Sequence, residues 1–453
     1  MPGKPFSGKQ KKLQLQAKRE RKAQKEAAQE RDANAPPAAT AAPDVSTDVG
    51  YSGDLKTIFA KESQEAINAR KRDATRSLIM APDRGNSQSI YNFGIANVDN
   101  QPTIPLRPSW TTSMTPEELN EREENSFREW LTQIHQACIN RKDGLQINSY
   151  ERNLQVWRQL WRVVEKANIL VHLADSRCPL LHLSHRLIQH IQKHYPDKRL
   201  LILLTKSDFV ASEREAAWVH YIHARYSVPV LSYSCNRALE SNGTLLQTLG
   251  ELSRGLELED SSNIPMIGLV GEPNVGKSSF LNSMFLKKKV SVSSTPGHTK
   301  HFQTHFYDNP HGIDGVDKLC FCDCPGVVFP RFGVPLALQI LFGSFPIAQT
   351  REPYSAIRFL AENADPTIQE VYKLRKVEEE DDWSPYTIAE AYANLRGFHV
   401  KGGKLDVFRA ANTLLRDTLN GKKVVLSFPP PTSDPCFVET KKDQLDGSTT
   451  DDI

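Results

Sequence analysis

Gly271-Glu272-Pro273-Asn274-Val275-Gly276-Lys277-Ser278-Ser279 has the spacing G-x-x-x-x-G-K-S of a phosphate-binding loop. Gly271 and Gly276 let backbone N–H groups wrap phosphate oxygens, Lys277 reaches the β- and γ-phosphates, and Ser278 offers a hydroxyl to Mg²⁺. The flanks agree. The apolar run Ile264-Pro265-Met266-Ile267-Gly268-Leu269-Val270 reads as a strand entering the loop, and "SFLNSMF" from Ser279 to Phe285 reads as the helix leaving it. A nucleotide-binding domain normally opens with this loop, yet here it lies past the middle of a 453-residue chain.

Downstream, "KLCFCDCPGVVFP" places Asp323-Cys324-Pro325-Gly326 at a strand tip. An aspartate there followed by x-x-Gly reads as the Mg²⁺-side carboxylate, with the Gly326 amide placed to sense the γ-phosphate. Between loop and strand, Thr299 is the first candidate for the threonine that closes over Mg²⁺ and Thr295 the second. Cys320, Cys322 and Cys324 alternate along one strand, a spacing that gives poor tetrahedral geometry for zinc. Val327 follows Gly326 where many GTPases carry a water-orienting glutamine, and a valine cannot orient water.

Nothing after Gly326 reads as a guanine-recognition motif, so the base site is sought upstream. The runs Ile169–Ala174, Leu200–Leu204 and Val228–Leu231 are short and apolar, separated by helical stretches, which is the pattern of buried parallel strands. The second ends in Thr205-Lys206-Ser207-Asp208. Asp208 is placed to accept hydrogens from guanine N1 and N2, a donor pair that adenine lacks, and the Lys206 stem to lie along the base. After the third run, Ser234-Cys235-Asn236 offers a loop amide to guanine O6. The base motifs thus precede the phosphate loop, a circular permutation of the usual order.

Two further helices are legible. Thr115-Pro116-Glu117-Glu118 is a capping box with proline in the first helical position, predicting a helix of roughly 20 residues. Leu154, Trp157, Leu160, Trp161 and Val164 recur at three and four residues, so the tryptophans are expected in a core.

Composition bounds the class: 39% hydrophobic and 25% charged residues, with no apolar run approaching the ~18 residues of a membrane span. No secretory leader is read at the N-terminus, and seven cysteines in so long a chain are expected as thiols. A net charge of +3 conceals a cationic arm holding Lys4, Lys9, Lys11, Lys12, Lys18, Arg19, Arg21, Lys22 and Lys25. Such a run is either a solvated disordered extension or an RNA-binding and nuclear-addressing segment, and the two readings are compatible. The Ala- and Pro-rich stretch from Asp32 to Gly50 reads as a linker.

At this point the sequence resembles the circularly permuted GTPases of ribosome assembly. The resemblance covers nearly the whole chain and rests on "KPFSGKQKKLQLQAKRERK", "NLQVWRQLWRVVEKANILVHLADSRCP", "GLVGEPNVGKSS", "STPGHTKHFQT", "DCPGVVFP", "FGSFPIAQTREPYSAIRFLA" and "DVFRAANTLLRDTLNGKKVVLSFPP". Asp175-Ser176-Arg177-Cys178-Pro179 is similar to the family's D-A-R-x-P hallmark with Ser for Ala, and Thr205 stands where the family usually carries Asn.

The resemblance implies an α/β fold: a permuted P-loop GTPase domain over 115–335, a helical domain over 336–430, a disordered basic tail and linker over 1–50, an irregular extension over 51–114 and a disordered tail over 431–453. It implies GTP and Mg²⁺ as ligands, a slow hydrophobic-substituted GTPase helped by potassium near Asn274 or by a ribosomal partner, and a monomer that binds a preribosomal particle and ribosomal RNA, without a membrane. The expected location is nucleus and nucleolus, with shuttling to the cytoplasm. A basic strip of Lys401, Lys404, Arg409, Arg416, Lys422 and Lys423 is read in the C-terminal unit, with a solvated helical face as its plain alternative. A GTP-binding scaffold with negligible turnover and an ATPase of another pathway remain the alternative functions.

Overall fold

A computed structural model describes residues 58–60, 62–80, 90–91, 101–256, 258, 264–289, 303–313, 316–378 and 382–432. All lie in one compact unit, Ser46–Ile453. The basic arm, Thr295, Thr299 and the tail beyond residue 432 fall outside the described residues.

Among the described residues six strands form one sheet: β1 (Ile169–Asp175), β2 (Arg199–Thr205), β3 (Val230–Tyr233), β4 (Met266–Val270), β5 (Gln303–Ile313) and β6 (Val316–Asp323). Their spatial order is β3-β2-β1-β4-β6-β5, parallel except for the antiparallel β5–β6 pair. The apolar runs form buried strands because both sheet faces are covered. Ile169, Val171 and Leu173 enter one core and Leu170 and Ala174 the other, as the two-residue period requires. The third strand begins later than read from sequence: Pro229 has no N–H for the ladder, although its carbonyl accepts the Ile202 amide at 3.0 Å.

The α-helices among the described residues are α1 (Gln64–Asp73), α2 (Pro116–Asn140), α3 (Leu154–Lys166), α4 (His185–His194), α5 (Ser212–Tyr226), α6 (Ala238–Ser253), α7 (Lys277–Met284), α8 (Leu336–Phe342), α9 (Tyr354–Asn363), α10 (Ile368–Tyr372), α11 (Pro385–Arg396) and α12 (Val407–Leu419). The Thr115 box is made in both directions, with the Glu118 amide on Thr115 Oγ1 at 3.2 Å and the Thr115 amide on Glu118 Oε2 at 2.9 Å. Trp157 and Trp161 are buried on α3, and their indole N–H groups donate to the Glu151 and Pro105 carbonyls. The stretch read as an irregular extension contains α1, which forms because Ser63 caps it by accepting the Ala66 amide at 3.2 Å.

Helices α6 and α7 cover one face of the sheet; α3, α4 and α5 cover the other. The apolar surface of α8 to α12 joins this second core without a break, so the C-terminal helices are cemented to the sheet. The chain winds from β1 to β3 in one direction and returns to place β4 on the other side of β1. That reversal opens a crevice at the carboxyl ends of β1 and β4, the place where open α/β sheets receive ligands. No helix among the described residues is long and apolar enough to cross a membrane.

Candidate nucleotide-binding site

The loop after β4 carries the phosphate motif. Gly276 precedes α7 at φ 105°, a backbone conformation that glycine, having no Cβ, enters at little cost. Lys277 is buried and its ammonium donates to the Gly271 and Glu272 carbonyls at 2.9 and 2.7 Å. Burial lowers its pKa, opposed chiefly by the Asp323 carboxylate. Ser278 and Ser279 are half-buried in the first turn of α7, and Pro273 and Val275 are buried in the loop. Non-glycine residues at φ 60° (Asn274) and φ 58° (Lys206) mark the two turns that face the crevice.

Thr205 ends β2 directly beside this loop. Its hydroxyl is placed to donate to the Ala174 carbonyl at 3.0 Å and to the Val275 carbonyl, so β1, β2 and the phosphate loop meet at one group. The shorter side chain therefore reaches the loop that the family's asparagine is expected to support. Lys206 turns its ammonium onto Asp175 Oδ2 at 2.8 Å. Ser207 is buried, and Asp208 is exposed at the crevice rim. Ser234 Oγ donates to Asp208 Oδ1 at 2.9 Å and Asn236 Nδ2 donates to Asp208 Oδ2 at 2.7 Å. Cys235 lies exposed between them. The two upstream motifs, distant in sequence, are thus one cluster.

Asp323 ends β6 in register with Leu269 of β4. It is buried, and neither carboxylate oxygen has a hydrogen-bond partner of good geometry among the described residues. Burial pushes the carboxyl up to about 6, with Lys277 and the Cys324 amide offsetting part of the cost. A buried carboxylate held without partners beside the Ser278 hydroxyl's helix suits a hard divalent cation, which takes oxygen donors. Gly326 packs on the phosphate loop so closely that a Cβ there would sit 2.7 Å from the Pro273 nitrogen. The next amide, Val327 N–H, donates to the Gly271 carbonyl at 3.3 Å.

Guanine nucleotide-binding protein-like 1 from Pongo abelii is 31% identical to this chain in an alignment covering 82% of the chain and 72% of the relative. The chain belongs to that GTPase family. Large subunit GTPase 1 from Schizosaccharomyces pombe is 33% identical over 78% of the chain, which spans 62% of that relative's length. Residues 266–381 match the family model described as 50S ribosome-binding GTPase. The crystal structure of GNP-bound YlqF from T. maritima is 20% identical, covering 61% of this chain and 99% of that one with a TM-score of 0.40.

In this family member Val327 is buried in the core rather than facing the crevice, consistent with a valine that packs instead of orienting water. Asn274 Nδ2 donates to the Gly343 carbonyl at 2.8 Å, so the residue read as a cation holder also ties the phosphate loop to the end of α8. Sequence reasoning missed a larger junction at Glu272. Its buried carboxylate receives Arg331 Nη2 at 3.0 Å and the Ser344 hydroxyl, with His182 Nδ1 at 3.5 Å. Burial alone would raise the Glu272 pKa; Arg331, then His182 and Ser344, outweigh it and hold the carboxyl below its ordinary value. The phosphate loop, the segment after Gly326, the turn from Pro179 that His182 caps and the helical layer therefore converge on one charge. The available signal was Arg331 itself, the one charge in the apolar run from Val327 to Pro335.

Proposed function

We propose that the protein is a GTP-binding and GTP-hydrolysing switch that acts in ribosome assembly by binding a large-subunit precursor in a nucleotide-dependent manner. The observation that carries this reading is that the phosphate loop, the Asp208 cluster and Asp323 lie together at the carboxyl ends of β2, β3, β4 and β6. Guanine would take the place of Ser234 and Asn236 as donor to Asp208, while Lys206 lies along the base. The loop from Gly271 to Ser279 would wrap the phosphates, with Lys277 turning from its own carbonyls to the β- and γ-oxygens. Ser278 and Asp323, with Thr299 from outside the described residues, would hold Mg²⁺, which neutralises phosphate charge when bound. Gly326, already in contact with the loop, would register the γ-phosphate and pass its loss to the segment that leads into the helical layer. Potassium near Asn274 is the candidate helper where Val327 supplies none.

The same reading assigns the GTPase domain to 115–335 and the helical domain to 336–430, and makes the protein a monomer. The arm from Lys4 to Lys25 would attract ribosomal RNA and direct the chain to nucleus and nucleolus, with shuttling to the cytoplasm. Lys401, Lys404, Arg409, Arg416, Lys422 and Lys423 are all exposed and would add a second cationic surface. Two measurements test the proposal. Lys277→Ala should abolish GTP binding in calorimetry while the fold is retained; equal binding would refute the site. In sucrose gradients at low salt the protein should sediment with preribosomes more fully with a nonhydrolysable GTP analogue than with GDP; protein remaining at the top in every nucleotide state would refute the ribosomal reading. The buried Val327 favours one variant, a GTP-binding scaffold, and single-turnover hydrolysis with and without ribosomal subunits separates it from the switch.

A further inference from the structure

Arg177 is almost fully buried, and a buried guanidinium must have its donors answered. One side of its planar fork lies on Asp175: Nε reaches Oδ1 at 2.9 Å and Nη2 reaches Oδ2 at 2.7 Å. The other side faces the carboxyl end of α12, where Nη1 donates to the Thr418 carbonyl at 3.0 Å and Nη2 approaches the Leu419 carbonyl at 3.4 Å. Those carbonyls belong to the last turn, which carries the negative end of the helix dipole; the Thr418 carbonyl also accepts the Gly421 amide at 3.0 Å, and the guanidinium adds a charged donor there. Asp175 is shared. Its Oδ2 also accepts the ammonium of Lys206, the lysine of the base motif. Burial opposes ionisation of Asp175, but Arg177 and then Lys206 override it and hold the carboxyl well below the usual carboxylate range.

A second contact joins the same two elements. Phe209 directly follows Asp208, and Gly421 lies so close to its ring that a Cβ there would come within 2.3 Å. The Arg177 guanidinium sits 5.7 Å from the centre of that ring and 5.2 Å from that of Phe342 on α8.

We propose that Arg177 is a positioning residue for guanine recognition: through Asp175 it fixes Lys206, and it is itself fixed by the carboxyl end of α12. This rests on Thr205–Asp208 being the base motif. The helical layer then touches the nucleotide site twice, for different purposes. At Glu272 and Asn274 it meets the phosphate loop, where the γ-phosphate matters. At Arg177 it meets the base side, which is identical in GTP and GDP. A partner that draws the end of α12 away would weaken both nucleotides by the same factor and so promote release of GDP, whereas bound nucleotide of either kind would hold α12 in place, since coupling between two sites is reciprocal.

The test uses the full chain and three variants: Arg177→Met, Arg177→Lys and, as a check on the base motif, Asp208→Asn. Calorimetry should show Arg177→Met weakening GDP and GTP equally, by about tenfold, the worth of one charge-assisted hydrogen bond. Arg177→Lys should recover part of the loss, because an ammonium can meet Asp175 but cannot also fork to the helix end. Hydrogen exchange on the unaltered protein should show GDP slowing amides 416–421, a readout that remains even if Arg177→Met does not fold. Affinity within twofold of the parent for a folded Arg177→Met, or exchange at 416–421 indifferent to GDP, overturns the proposal. If Asp208→Asn loses guanine preference while Arg177→Met binds normally, the coupling alone fails; if Asp208→Asn leaves the preference unchanged, the base motif fails and the coupling falls with it.

Discussion

Replacing Asp323 by Asn should make the nucleotide-free protein more stable and less able to bind. The Asp323 carboxyl is pushed to about 6, against an ordinary 3.8, by burial that Lys277 offsets only in part. An acid whose pKa is raised in the folded state supports the fold fully below its unfolded pKa and loses that support as pH rises through the folded value. The loss therefore falls between about pH 4 and 6. Two pKa units correspond to about 3 kcal/mol at neutral pH. Asn removes the charge and keeps the shape, but its amide is buried without a designed partner, which returns about 1 kcal/mol. The expected gain is about 2 kcal/mol near pH 7.5 without Mg²⁺ or nucleotide, shrinking as pH falls toward about 4, where the parent's carboxyl is protonated too. Urea unfolding of both proteins across this range measures it. An Asp323→Asn variant no more stable than the parent near neutral pH would refute the claim that this carboxylate is held ionised at a cost for the sake of a cation. The same variant should lose Mg²⁺-supported GTP binding.

Three other outcomes follow from the geometry. Thr205→Val leaves the Val275 and Ala174 carbonyls without their shared hydroxyl, and should cost about 1 kcal/mol in urea unfolding; a neutral result would mean the loop does not depend on it. Glu272→Ala strands the buried Arg331 guanidinium and should cost about 3–5 kcal/mol, with Glu272→Gln losing less; equal stability of Glu272→Ala and the parent would dismiss the junction. Asp208→Asn exchanges an acceptor for a mixed amide and should shift preference from guanine to xanthine nucleotides in competition binding.

The parts of this molecule that were legible in the sequence are those with a local signature. Ile169–Ala174 and Leu200–Leu204 announce themselves because a strand buried on both faces is apolar at every position, and the phosphate loop because its glycines and lysine have fixed spacing. The Asp208 cluster was reachable by order alone: a strand end, then another strand end, then the loop. What stayed hidden depends on pairings with no period. Arg177 meets α12 across 241 residues and Ser344 meets Glu272 across 72. Glu272 occupies a position the motif leaves free, so nothing in its neighbourhood predicts a buried carboxylate. Thr205 is shorter than the asparagine usual at its position, and whether it reaches the loop depends on how near the Val275 carbonyl comes, which only the fold sets.

The placement of β4 has a consequence for how the chain is made. During synthesis β1, β2 and β3 leave the ribosome first, and β1 must wait for the strand that will occupy its other edge. About ninety residues separate the two, which at roughly 5–20 residues per second is a delay of about 5–20 s. Throughout it β1 presents an apolar, unpaired edge of the kind that recruits foreign strands. Helix α3, complete before β1 emerges, can shield a face of that half-sheet but not its edge. A permuted gene order thus moves the most vulnerable moment of folding to the nascent chain, and makes β4 the last piece to close the half of the sheet formed by β1, β2 and β3.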